Sequence, residues 1–294
     1  MMKKAAKSDD RSSNALQPRK TDATKVENKN VHVYNKHVLC VTDSRGYKTH
    51  RNRSPLEIRV DATDGFIPLW AAGVTLRYRF NNRSIERYFQ NPVAAKTEIL
   101  ELFGEALAAW GDAAPVKFSH DEDLADFEIF MIQSPDCDAT GCVLASAFFP
   151  DSGRHRFNLY PTMFDQTRSE QVETFVHEIG HIFGLRHFFA NISENEWPSR
   201  LFGEDNPFSI MNYGHQSVLT EADKSDLKKL YQAAWNGDLT EIDGAPIRLV
   251  RPFSSPAESI RLQSLAARSL ESTVRGSSNT AVQISIGGRR VTIE

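Results

Sequence analysis

The chain has 294 residues, 40% of them hydrophobic and 25% charged, with a formal net charge of −3. That length and balance suit one well-buried domain with extensions, and the small net charge gives no whole-chain attraction to nucleic acid or to an anionic membrane. No apolar run nears the roughly 18 residues that span a bilayer, and three cysteines are too few for a disulfide framework.

Residues 1–30 hold eight basic and four acidic residues and almost no large apolar ones. Such a tract cannot offset its own ordering entropy and is expected to stay an unstructured basic tail. No apolar core follows the basic start, so no signal peptide is read, and the expectation is a cytoplasmic chain or one exported by another route. Residues 31–72 carry short apolar pieces and read as an N-terminal extension, with a pro-segment as one possibility.

From Gly73 the pattern becomes that of a folded domain. Residues 74–80 alternate apolar and polar, as a half-buried strand does. Residues 93–113 place Ile99, Leu100, Phe103, Ala106, Leu107 and Trp110 at helical spacing, with Gly111 near the end. Further strands are expected at 116–119, 127–132, 143–149 and 156–160. A second helix is expected over 171–183, with Val172, Phe175, Val176, Ile179 and Phe183 mostly on one face. A polar and aromatic insertion runs to Ser209. A third helix opens at Thr220, an N-cap residue ahead of acidic first-turn positions. After about Gly237 the pattern dissolves, until residues 281–293 read as two short strands around Gly287-Gly288. The chain thus divides into 1–30, 31–72, a domain at 73–237, and a C-terminal extension at 238–294 to which no role is assigned.

The chemistry concentrates in His177-Glu178-Ile179-Gly180-His181-Ile182-Phe183-Gly184-Leu185-Arg186-His187. His177 and His181 lie four apart on a helix, so both imidazoles leave one face and suit two ligands of a single Zn²⁺. Glu178 is placed to take a proton from a water at the open position. Gly184 can take a positive φ and end the helix sharply, so that the chain returns His187 as a third ligand. Three protein ligands plus water make a catalytic site rather than a closed structural one.

This HExxHxxGxxH segment resembles that of the metzincin zinc peptidases, which also carry a methionine in a tight turn beneath the metal. Met211, in Ser209-Ile210-Met211-Asn212-Tyr213-Gly214, fits that turn. The upstream half is similar to the matrixins, through Pro115-Val116-Lys117-Phe118-Ser119, through Ala125 to Ile129, and through Leu144-Ala145-Ser146-Ala147-Phe148-Phe149-Pro150. The resemblance covers about residues 73–236 and marks a matrixin-like metzincin of an outlying branch.

The implied fold is α+β: a twisted, mostly parallel sheet with an antiparallel edge strand, an active-site helix and a C-terminal helix. The implied activity is zinc-dependent endopeptidase, with zinc held by His177, His181 and His187 and Glu178 as general base. Tyr213 stands where astacin-like and serralysin-like members keep a tyrosine near the zinc; a packed turn residue is the other reading. Ala145 and Ala147 would border the extended substrate, and Glu173 would line the P1′ pocket. Ser146 replaces a histidine that matrixins use for a structural zinc, and residues 137–142 replace their calcium loop, so only the catalytic ion is expected. The usual cysteine signature of a matrixin pro-segment is absent around Cys40, which leaves a buried cysteine as the stronger reading of that residue. A peptide or protein substrate is expected, with no nucleic-acid partner; oligomeric state is not legible. A non-peptidase zinc hydrolase, or a binding protein on a metzincin fold, remains the alternative.

Overall fold

In a computed structural model of the chain, the described residues are 15–19, 38–39, 58–61, 65–137, 141–186, 199–202, 209–211, 218–255, 282–286 and 289–293. His187, Tyr213 and Cys40 lie outside them. The chain divides into two units, Met1–Ser254 and Ser255–Glu294.

The first unit is built on a five-stranded sheet. Its strands are β1 (Thr75–Phe80), β2 (Lys117–His120), β3 (Phe127–Met131), β4 (Ala145–Ser146) and β5 (His155–Leu159), in the order β2-β1-β3-β5-β4. All neighbours pair in parallel except β4, which runs antiparallel to β5 with Ala145 opposite Leu159 and Ser146 opposite Asn158. This is the α+β plan expected from the sequence, including the antiparallel edge. The expected strand at 143–149 is shorter: Cys142–Val143 and β4 are separate pieces, and 147–149 leaves the ladder.

Among the described residues, four α-helices accompany the sheet: α1 (Asn82–Tyr88), α2 (Pro92–Trp110), α3 (Arg168–Ile182) and α4 (Glu221–Asn236). The sequence reading has no α1, whose seven residues are too few for a clear apolar period. It starts after Asn81, which accepts from Ser84 N–H. In α2, Asn91 caps the start, Pro92 occupies the first turn and Gly111 ends it at φ 57°. Helix α3 begins at Arg168, three residues ahead of the expectation. Thr167 and Glu170 form a reciprocal capping box that satisfies the first amides. Arg168 then binds Glu98 and Glu105 of α2, tying the two helices side by side.

Helices and sheet enclose one core. Phe103 of α2 meets Tyr78, Phe118, Phe157 and Phe175 at ring separations of 5.2–6.2 Å, and Phe157 stacks on Phe175 of α3 at 5.2 Å. Offset and edge-on aromatic pairs of this kind add to the burial energy.

Three N-terminal pieces touch this unit. Within the tract expected to be unstructured, residues 15–19 pair with the end of α1: Arg19 N–H donates to Tyr88 O and Gln90 N–H to Gln17 O, while Leu16 packs on the core. One partly buried leucine and a few backbone bonds outweigh the polar composition there. Val38–Leu39 pairs in parallel with Cys142–Val143. Ile58–Asp61 lies between Leu185–Arg186 and Ser199–Phe202, antiparallel to both.

Regular structure also continues past Gly237, where the sequence pattern seemed to stop. Ile67–Trp70 pairs in parallel with Ala245–Val250, and Glu241–Ile242 turns back on Ala245–Val250 through Asp243-Gly244, both at positive φ. That is the Asp-Gly signature of a two-residue hairpin turn. Beyond it, buried Asp126 accepts from Ser254 N–H and Ser254 Oγ–H at 2.6 and 2.9 Å and from Arg77 N–H at 2.8 Å. In the second unit, Val282–Ile286 pairs antiparallel with Arg289–Ile293, the two strands expected around Gly287-Gly288. No helix among the described residues is long and apolar enough to cross a membrane.

Candidate metal centre

Helix α3 carries His177, Glu178 and His181, whose ligand atoms all lie within 4.8 Å of one another. Glu178 and His181 are buried, with 2% and 0% exposure, and His177 is half-buried. The site is therefore walled by protein on the helix side.

Each histidine is oriented by a backbone carbonyl. His177 Nδ1 lies 2.8 Å from Ile210 O, and His181 Nδ1 lies 2.7 Å from Leu185 O. A carbonyl can only accept, so both Nδ1 atoms carry the hydrogen, and in the neutral ring each Nε2 presents a lone pair. Those two Nε2 atoms stand 3.2 Å apart. Two acceptors that close repel unless a cation lies between them. Two nitrogens on a tetrahedral zinc, each at ~2.0–2.1 Å, are themselves about 3.3 Å apart. Tautomer, convergence and spacing all fit a zinc ion.

The elements that hold this geometry are specific. Helix α3 ends at Ile182, and Gly184, at φ +89°, reverses the chain so that Leu185 returns its carbonyl to His181. Three carbonyls of this segment are taken up by aromatic donors: Val176 O within α3 by Trp110 Nε1–H, Ile182 O at its end by Trp70 Nε1–H, and Phe183 O just past it by Tyr231 O–H, at 2.7–3.0 Å. Burial raises the Tyr231 phenol pKa well above its ordinary value. The end of α3 is thus held by side chains from two distant segments, Trp70 and Tyr231.

Beneath the helix sits the methionine turn. Met211 lies so close to Gly180 that a Cβ there would meet Met211 Sδ at 2.5 Å. Met211 N–H donates to Ser209 Oγ. Ser209 Oγ–H and Ile210 N–H in turn donate to Asp223, the N3 residue of the α4 capping box. Burial, the largest influence, raises the Asp223 pKa above the usual carboxylate range, and these donors pull against it. A chain of bonds therefore runs from α4 through the Ile210 peptide to the His177 ring. Sequence reading places Met211 and the Thr220 cap but not this link; the Thr220-to-Asp223 spacing is the signal that pointed to it.

The remaining expected residues are placed as follows. Ala145 is buried in β4 and Ala147 is partly buried just past it, with Phe149 edge-on to His181 at 5.5 Å. Glu173 is half-buried one turn before His177; burial, then Glu170, raises its pKa. Ser146 Oγ accepts from Asn158. His155 stacks on Phe148 at 4.3 Å and bonds Asp151. Cys137 and Cys142, whose oxidation state the sequence leaves open, are joined as a disulfide just ahead of β4.

The matrixin family model matches residues 70–193. The chain is 31% identical over 136 residues to Metalloendoproteinase 4-MMP of Arabidopsis thaliana, an alignment covering 41% of this chain. It spans only 38% of that relative's length. Among solved structures, that of myroilysin aligns with 68% of this chain and 94% of its own, at 12% identity and a TM-score of 0.37.

Proposed function

We propose that this chain, whose residues 70–193 match the matrixin family model, is a zinc-dependent endopeptidase. The observation that carries the proposal is the pair of Nε2 lone pairs of His177 and His181, 3.2 Å apart, with the Glu178 carboxylate beside them. His187, next in sequence after Leu185–Arg186, is the third ligand in this reading. A zinc ion held there supplies a Lewis acid that makes a water acidic at neutral pH and polarises a carbonyl.

The chain's own groups do the rest. Glu178 takes the proton from the attacking water and delivers it to the amine nitrogen as the C–N bond breaks. Its burial keeps competing water away from that transfer. Strand β4, the edge of the sheet among the described residues, offers its backbone to an extended peptide, which would add as the next strand. Tyr213 is assigned a hydrogen bond to the developing oxyanion. Glu173, one turn before His177, would place a carboxylate in the P1′ pocket and favour a basic residue there.

The test is hydrolysis of casein by the full chain, with chelator, with zinc restored, and with Glu178→Gln alongside. Activity that disappears with chelator, returns with zinc and is nearly absent in a Glu178→Gln chain that still binds zinc is expected. A Glu178→Gln chain with substantial turnover would remove the general-base role. A zinc-binding parent without hydrolysis of any peptide would favour the non-peptidase and binding readings. Profiling P1′ against Glu173→Leu tests the pocket assignment separately.

A further inference from the structure

The N-terminal strand Ile58–Asp61 precedes the matrixin-like segment, yet it is paired to the chain that shapes the metal site. Its partners on one side are Leu185 (opposite Val60) and Arg186 (opposite Arg59), and on the other Arg200 and Leu201 (opposite Val60 and Arg59). We propose that Ile58–Asp61 is a positioning strand of the metal site, holding Leu185–Arg186 where they orient His181 and deliver His187. The inference rests on the zinc reading given above.

The physical case starts at Gly184. Helix α3 ends at Ile182, and the positive φ of Gly184 frees the following residues from the helix ladder. Leu185 and Arg186 form a strand of only two residues. A two-residue piece has no internal hydrogen bonds, so its position is set by what it pairs with. Two things depend on that position. Leu185 O receives the Nδ1–H of His181 at 2.7 Å and so fixes that ring's tautomer and direction. Arg186 is covalently followed by His187.

Both residues are buried, at 0% and 1% exposure, so they cannot shift without exposing or overpacking the core. The strand that holds them is itself central, with Ser199–Phe202 on its far side. One N-terminal segment thus supports the backbone that orients His181 and that continues in sequence into His187. Partners behind metal ligands are typically worth about 10–100-fold in metal affinity. It follows that residues 58–61 belong to the finished molecule, and that a cut which releases them does not simply uncover the cleft.

The experiment uses the full chain. Val60→Pro removes a backbone donor and disrupts the ladder, whereas Val60→Ala keeps the N–H. Zinc affinity is read by competition with a chromophoric chelator, and the site's shape by the absorption spectrum of the cobalt-loaded protein. Expected is a loss of about 10–100-fold in zinc affinity and an altered cobalt spectrum for Val60→Pro, with Val60→Ala close to the parent. Val60→Pro that binds zinc as tightly as the parent overturns the proposal.

Should Val60→Pro fail to fold, a specific protease site replacing residues 62–64 is cut in the folded, zinc-loaded chain. An N-terminal fragment that stays bound, or one that leaves and takes zinc affinity with it, supports the strand's role. A fragment that leaves while zinc affinity is unchanged or hydrolysis rises marks a removable pro-segment and refutes it. A parent chain that takes up no zinc would instead fail the metal reading itself, a result distinct from either.

Discussion

Replacing Gly180 by alanine puts a methyl group where Met211 already lies. The added Cβ would stand 2.5 Å from Met211 Sδ and 3.4 Å from both Met211 Cε and Trp110 Cζ2. Comfortable contacts between such atoms are ~3.5–4.0 Å, so the sulfur must retreat by about 1 Å or more. Met211 is 3% exposed and has little room to do so. Overpacking of this kind costs about 1–3 kcal/mol, while Gly to Ala in a helix interior returns up to about 1 kcal/mol. The net expectation for Gly180→Ala is a loss of about 1 kcal/mol. In a Met211→Ala background the obstacle is gone, only the helix gain remains, and the same change becomes stabilising.

Urea denaturation of the four metal-free chains (parent, both single variants and the double) measures the coupling, expected at about 1–3 kcal/mol. Gly180→Ala as stable as the parent, or equally damaging in both backgrounds, would refute the contact. Zinc affinity should fall in Gly180→Ala as well, because a displaced Met211 moves Ile210, whose carbonyl orients His177.

Other substitutions test the same frame. Trp70→Phe removes the donor to the buried Ile182 carbonyl at 2.7 Å; an unpaired buried acceptor costs about 1–3 kcal/mol, and an unchanged melting temperature would mean the helix end is satisfied otherwise. Ser254→Ala removes the hydroxyl bond to buried Asp126 at 2.9 Å. Loss of this one hydrogen bond is expected to cost about 0.5–1.5 kcal/mol, and no loss in denaturant would show that the segment after Ala245–Val250 is merely draped on the domain. Asp223 has its pKa raised in the folded state, chiefly by burial. The folded chain therefore holds that proton to higher pH than the unfolded chain does, and this group's contribution to stability declines as pH rises from the ordinary carboxylate value through the raised one. The stability of the parent relative to Asp223→Asn, followed on metal-free protein, should shrink across that window; a difference that grows with pH would reverse the assignment.

Much of this was legible because it is local. Four-residue spacing on a helix puts His177 and His181 on one face whatever surrounds them, and the glycine three residues beyond is the residue that tolerates φ +89°. Thr220 ahead of an acidic first turn marks the start of α4, and the alternation at 74–80 marks β1. Other features were local but faint. The seven residues of α1 are too few to show a period, and Asp243-Gly244 is a good turn signal set in a stretch without strong apolar alternation.

By itself, the sequence supplied the candidates for the proposed chemistry: two histidines four apart, a glutamate beside the first and a methionine downstream, since each follows from residue identity and helix or turn spacing. The tertiary structure decided what fixes that chemistry in place. Which carbonyl orients His177, which indole closes the end of α3, that Asp223 grips the turn at Ser209–Met211, and that strands at 58–61 and 245–250 join the domain from outside its core segment are all long-range facts. Pairings between residues tens to more than a hundred positions apart leave no periodic mark on the chain. They are selected only when apolar faces come together and every buried donor and acceptor must find a partner.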